Sequence, residues 1–121
     1  MIEIIGDRRS GKTTALVALA VAAWEAGDRP VFIVAEAAMA RGLERRFTEA
    51  AWLRTSPDWR AKAPRPGFVV ADSDLLDKFF AGNEGRWKIQ GFVDELQMIQ
   101  CIPEHVWGVV RAVTINRRNR R

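Results

Sequence analysis

Two short stretches carry residue types whose spacing suits phosphate chemistry. The first is Gly6-Asp7-Arg8-Arg9-Ser10-Gly11-Lys12-Thr13-Thr14. Glycines belong where backbone amides must approach phosphate oxygens with no side chain in the way. A helix opening near Thr13 would aim its amides and the positive end of its dipole at the same place. In such a cradle Lys12 reaches the β- and γ-phosphates and the Thr13 hydroxyl ligates Mg²⁺. The second stretch is Phe92-Val93-Asp94-Glu95. An apolar strand that ends in an acidic pair puts Asp94 at a sheet edge, where it can hold Mg²⁺ through water. Glu95 then faces the γ-phosphate and can orient and polarise an attacking water. Each stretch has a plainer alternative, a fortuitous glycine turn for the first and a helix-capping carboxylate pair for the second.

Such residues need elements to hold them. Ile2-Glu3-Ile4-Ile5 is a β-rich run that stops at Gly6, and Thr13 to Ala26 are strong helix formers with Gly27 placed to end them. Pro30 leads into Val31 to Val34, a buried type of strand. Met39, Leu43 and Phe47 recur every fourth residue with charge on the other faces, which predicts an amphipathic helix. Pro57 to Pro66 reads as a loop. Phe68 to Ala71 reads as a third strand, and Asp72 or Ser73 caps a helix through Phe80. Gly82 and Gly85 mark a turn. Lys88 to Val93 is a fourth strand, Pro103 sits in the first turn of a short helix through Val109, and Arg111 to Ile115 is a fifth strand closed by Asn116. Five strands alternating with helices predict an α/β fold, a three-layer sandwich around a mostly parallel sheet. Right-handed crossovers then bring the strand ends that carry both stretches to one edge. The 121 residues are expected to form one domain.

With both stretches in that context, the sequence resembles the P-loop NTPases, in the branch with a catalytic glutamate after the metal-binding aspartate. That branch includes helicases, recombinases, AAA-type ATPases and viral packaging motors. The resemblance implies ATP and Mg²⁺ as cofactors, Lys12 and Thr13 on nucleotide and metal, Asp94 on metal, and Glu95 as catalytic base. Arg8, Arg9, Ser10 and Thr14 join Gly6, Gly11, Lys12 and Thr13 in the candidate nucleotide-binding set. The resemblance also implies that the strand after the acidic pair inserts between the other two motif strands and carries a polar sensor. Thr114 or Asn116 is the candidate, and a simple strand-end cap fits Asn116 equally well. The pattern Gly-x-Arg-x-Ser-Gly-Lys-Thr is similar to the P-loops of large terminases, the phage DNA-packaging ATPases, which often carry an arginine at the position of Arg8. Arg8 and Arg9 also read as solvated side chains. Terminases carry a nuclease domain for which this chain has no room, so a stand-alone packaging or helper ATPase fits better.

The formal charge of +4 comes from 19 basic and 15 acidic residues. Arg117, Arg118, Arg120 and Arg121 hold the whole excess, so the body is neutral and the end is a basic tail. The tail is a candidate for phosphate contact or a solvated terminus. Trp52 to Arg65 interleaves Trp52 and Trp59 with Arg54, Arg60, Lys62 and Arg65. That pattern suits single-stranded nucleic acid, and it equally suits tryptophans packed on the sheet. Arg111, Arg117 and Arg118 are candidates for an arginine that stabilises transition-state charge, in the same chain or a neighbour. His105 reads as a surface or helix-packing residue. The lone Cys101 excludes an intrachain disulfide and fits a reducing compartment. Ala15 to Trp24 is too short to span a bilayer, and a cytoplasmic location is expected.

The leading expectation is ATP hydrolysis coupled to nucleic-acid handling, DNA before RNA, by a homo-oligomer or with a partner protein. A second is a nucleotide-binding switch with little turnover. A third is a phosphotransferase, since Val93-Asp94-Glu95-Leu96-Gln97 beside a P-loop is similar to thymidine kinases. Those kinases carry a CxxC zinc lobe that this chain lacks. No Asn-Lys-x-Asp guanine reader is present, which favours ATP.

Overall fold

The computed structural model describes residues 1–7, 10–81 and 87–117. Arg8 and Arg9, the Gly82–Gly85 turn, and Arg118, Arg120 and Arg121 of the tail lie outside the described residues.

The β-branched and aromatic runs form five strands: β1 (Ile2–Gly6), β2 (Arg29–Val34), β3 (Gly67–Val70), β4 (Ile89–Val93) and β5 (Val110–Asn116). They pair in the order β1-β5-β4-β2-β3, and every pairing is parallel. The last strand in sequence thus inserts between β1 and β4, as expected of it. The inner strand β2 is buried from Pro30 to Val34, as a parallel strand covered on both faces must be.

The intervening segments form α1 (Lys12–Glu25), α2 (Ala37–Trp52), α3 (Pro57–Lys62), α4 (Ser73–Ala81) and α5 (Glu104–Trp107). Helices α1 and α2 cover the face that carries Phe32, Val34, Phe92 and Ala112. Helices α4 and α5 cover the other face, against Val31, Ile33, Val93 and Val113. The α/β class and the layered arrangement follow the sequence reading, and the sheet is wholly parallel.

The segment from Pro57 to Pro66 differs from its expected loop. Ser56 accepts the Trp59 amide at 3.2 Å, Pro57 occupies the first turn, and one short helix, α3, results. This helix delivers Trp59 edge-on to Trp24, with ring centroids 4.5 Å apart. The Trp24 indole N–H donates to the Pro64 carbonyl at 2.7 Å, so the proline-rich stretch is fastened to α1. Trp59 is therefore a packing residue. Trp52 remains 60% exposed, and the Arg60 guanidinium lies 4.4 Å over its ring.

Candidate functional site

The chain leaves β1 across one face of the sheet, through α1. It leaves β4 across the other, through a single 3₁₀ turn at Leu96–Met98 and then α5. The carboxyl ends of β1, β5 and β4 therefore flank a crevice where connections diverge, the usual position for a ligand in an open parallel sheet. A cavity of about 360 Å³ opens there, lined by Ser10, Gly11, Lys12, Thr13, Thr14, Arg46 and Glu95.

On the β1 side Ser10 lies against Gly6, and its amide donates to the Asp7 carbonyl at 3.2 Å. A Cβ on Gly6 would collide with the Ser10 hydroxyl and lie 3.0 Å from Ser10 Cβ, so a larger residue there would have to displace the Ser10 side chain. Gly11 takes φ 84° at the start of α1, a left-handed conformation that other residues adopt at a cost. Gly11 brings no side-chain cap to α1, and no acidic residue sits in the helix's first turn. The first amides of a helix lack partners within it, so this end is open to an anion. Lys12 is 6% exposed. Its ammonium lies 3.6 Å from Glu95 Oε1 and donates to the Asp7 carbonyl at 3.3 Å.

On the β4 side, register decides the contacts. Val93 pairs with Val113, so Asp94 and Thr114 come side by side at the next position. Both follow the alternation of Phe92 and Ala112, which face α1. Thr114 is wholly buried. Its hydroxyl donates to Asp94 Oδ1 at 2.6 Å and accepts the Glu95 amide at 2.8 Å. One threonine thus ties down both acidic residues. The Thr13 hydroxyl stands 3.4 and 3.5 Å from the two Asp94 carboxylate oxygens. Burial pushes the Asp94 pKa up, and the charge of Glu95 adds to the rise. The hydrogen bonds from Thr114 and Thr13 and the charge of Lys12 pull the other way.

Glu95 has φ 54° and ψ 59°, the one non-glycine residue with positive φ among the described residues. The left-handed conformation costs a non-glycine residue about 1 kcal/mol, and such strain clusters at functional sites. The Thr114 hydrogen bond to its amide helps hold it. Gln97, in the 3₁₀ turn, donates its amide N–H to Glu95 Oε2 and accepts the Asn116 backbone N–H at 3.0 Å. The Glu95 carboxylate is thus gripped between Lys12 and Gln97.

The crevice brings together Gly6, Ser10, Gly11, Lys12, Thr13, Thr14, Asp94 and Glu95. Of the two sensor candidates, Thr114 contacts the acidic pair. Asn116 is the last residue of β5, paired in register with Gly6, and its backbone belongs to the Gln97 clamp. Arg111 is a correction. It lies at the opposite end of the sheet, beside a cavity of about 430 Å³ lined by Met1, Ile2, Lys88 and Val110 among others. It cannot serve this crevice within its own chain. Arg117 directly follows β5 and is exposed. His105 pairs with Asp77 on the surface at 3.4 Å. Gln97 and Arg46 carried no role in the sequence reading. Gln97 is signalled only by its place two residues after Glu95. Arg46 is signalled only by flanking the Leu43–Phe47 stripe of α2.

The donors suit a metal that keeps most of its waters. Among the described residues no group of three or more His, Cys, Asp or Glu side chains could enclose an ion. One carboxylate beside one hydroxyl is the sparse, hard-oxygen set that Mg²⁺ takes when phosphates supply further ligands. No family model, curated protein or solved structure matches the chain. No helix of the described residues is long and apolar enough to cross a membrane.

Proposed function

We propose that the chain binds Mg-ATP in this crevice and hydrolyses it. The observation that carries the reading is the convergence of buried Lys12, the Thr13–Asp94 oxygen pair and strained, clamped Glu95 on one cavity at the open end of α1. In this reading the loop amides and Lys12 receive the phosphates, and Thr13 and Asp94 hold Mg²⁺. The ion supplies charge neutralisation at the phosphates. Glu95 orients a water and takes one of its protons. The water oxygen bonds to the γ-phosphorus as the bond to the β–γ bridging oxygen breaks, releasing ADP and inorganic phosphate.

The Lys12–Glu95 contact is where nucleotide acts in this scheme. An incoming phosphate competes for the ammonium, which frees one Glu95 oxygen, while Gln97 holds the other and Thr114 fixes the Glu95 backbone amide. Coupling to nucleic acid, preferably DNA, through an oligomer or partner is the broader proposal. Exposed Trp52 with Arg60 and the basic chain end support it. The viral packaging-motor reading rests on the sequence resemblance alone.

The test is phosphate release from Mg-ATP by the purified chain, with and without single- and double-stranded DNA, with Glu95→Gln as control. Turnover stimulated by DNA and lost in the variant supports the whole proposal. Glu95-dependent turnover that ignores DNA removes the nucleic-acid part. The absence of turnover in the native chain contradicts hydrolysis and favours a nucleotide-binding switch.

A further inference from the structure

We propose that Arg46 is this chain's own arginine for the outermost phosphate of the bound nucleotide, and that it separates triphosphate from diphosphate. The inference rests on the nucleotide reading above and adds a residue and a discrimination to it. Three observations carry it.

The first is position. Arg46 lines the same cavity as Lys12, Thr13 and Glu95 and is the only lining residue from α2. Leu43, Phe47 and Ala51 are the buried residues of that helix. Phe47 meets Trp24 of α1 edge-on at 5.4 Å and Phe32 of the sheet at 6.0 Å, so the rotation of α2 about its axis is fixed. Arg46 falls on the flank of that buried stripe that faces α1. It is level with Thr14, beside which it also lines the groove between the two helices.

The second is direction of approach. In the order β1-β5-β4-β2-β3, α2 lies beyond β4, over β2 and β3, where Phe47 packs against Phe32 and Phe68. Arg46 therefore enters the crevice from the side of Asp94 and Glu95, away from Gly6. In the proposed reaction those two residues serve the metal and the attacking water at the outer phosphate. A guanidinium arriving from that side meets the outer end of the phosphate chain, where a diphosphate has nothing to offer it.

The third is availability. Among the described residues Arg46 makes no ion pair, and Glu49, one turn further along α2, does not engage it. Arg46 is exposed, so its side chain reaches a ligand without breaking a contact of the fold. Lys12, by contrast, must give up part of its pairing with Glu95. A fork of guanidinium donors also matches phosphate oxygens two at a time.

The experiment measures binding of Mg-ADP and of a non-hydrolysable Mg-ATP analogue by titration calorimetry, with Mg-ATP turnover alongside, for the native chain, Arg46→Ala, Arg46→Lys and Lys12→Ala. Arg46→Ala is expected to weaken the triphosphate analogue about tenfold or more while leaving ADP nearly unchanged. Turnover should fall with it, and Arg46→Lys should recover part of both. Equal loss for the two nucleotides, or no loss, while Lys12→Ala abolishes binding, overturns the role of Arg46 and leaves the nucleotide reading standing. Recovery of turnover when Arg46→Ala is mixed with Glu95→Gln places the arginine in a neighbouring copy and overturns the same-chain assignment. A native chain that binds neither nucleotide overturns the inference together with the reading beneath it. Circular dichroism of Arg46→Ala should match the native chain, since the residue buries nothing.

Discussion

The two ends of the parallel sheet carry cavities of similar size, about 360 Å³ at the carboxyl end and about 430 Å³ at the amino end. They differ in chemistry. At the amino end the basic groups, Lys88 and Arg111, are exposed, and the rest of the lining is mostly aliphatic residues and glycine. At the carboxyl end a lysine, an aspartate and a threonine are all buried, and a left-handed glutamate stands beside them. Burying charge is expensive unless each group is partnered. The fold spends Thr114, Thr13, Gln97 and the Asp7 carbonyl on keeping those groups together. Volume alone would not tell the two cavities apart, whereas the cost of assembling the polar groups does.

Removing the lysine at one end and the arginine at the other should separate the two cavities most clearly. Lys12→Ala should abolish detectable Mg-ATP turnover, a loss of at least about a hundredfold. Arg111→Ala should leave both turnover and thermal stability unchanged, within about 0.5 kcal/mol. Comparable losses from both variants would mean that the amino end is functional too.

Gln97→Ala comes next. Its amide holds Glu95 and does not line the cavity, so it should lower kcat by about ten- to a hundredfold. Nucleotide affinity should stay within a factor of two or three. A matching loss of affinity would make Gln97 a binding residue.

Thr114→Val keeps shape but removes the hydroxyl that serves both Asp94 and Glu95. Each unsatisfied buried group costs about 1–3 kcal/mol, so the nucleotide-free protein should lose on the order of 3 kcal/mol in urea unfolding. A loss below about 0.5 kcal/mol would show that water substitutes for the hydroxyl and that the site is less dry than described.

The smallest expected change in stability has the opposite sign. Asp94 has its pKa raised in the folded protein, chiefly by burial. An acid with a raised folded pKa destabilises the fold at pH values above that pKa. The penalty shrinks as pH falls through it and is gone below the ordinary value of 3.8. Asp94→Asn should therefore raise the melting temperature of the nucleotide-free protein at pH 7 by a few degrees. The gain should fade toward pH 4, and Mg²⁺-dependent turnover should be lost. A variant that melts lower than the native chain at pH 7 would show that the charge is needed for folding, not only for function.

Much of the fold was legible because its signals are local. The glycine pattern after β1, the helix formers that follow, the apolar run before Asp94 and the final strand all sit close to where the structure puts them. The boundaries differ by about one or two residues. Helix α3 was also signalled, by Ser56-Pro57, but the surrounding prolines outweighed that cap and the stretch read as a loop. What sequence alone left open depends on three-dimensional register. Ala112, Thr114 and Asn116 share one face of β5 by simple alternation, so periodicity offers both polar residues equally. Pairing of Val93 with Val113 puts Thr114 beside Asp94, and Asn116 about 7 Å further along the strand. Arg46 was less legible still. Its closeness to Lys12 arises from how α2 rests on α1, and neighbouring Arg45 carries the same charge with a different outlook. Arg111 misled for a related reason. It belongs to the strand that bears Thr114 but starts it, some five residues from the end that matters.

Nucleotide binding in the crevice is tested most directly by Mg²⁺-dependent binding of ATP to the nucleotide-free chain, titrated in parallel with Lys12→Ala and Arg111→Ala. Saturable binding at one site per chain is expected. It should vanish in Lys12→Ala, persist in Arg111→Ala and weaken when Mg²⁺ is chelated. Absence of binding by the native chain, or binding that Lys12→Ala leaves intact, would contradict a nucleotide site in the crevice.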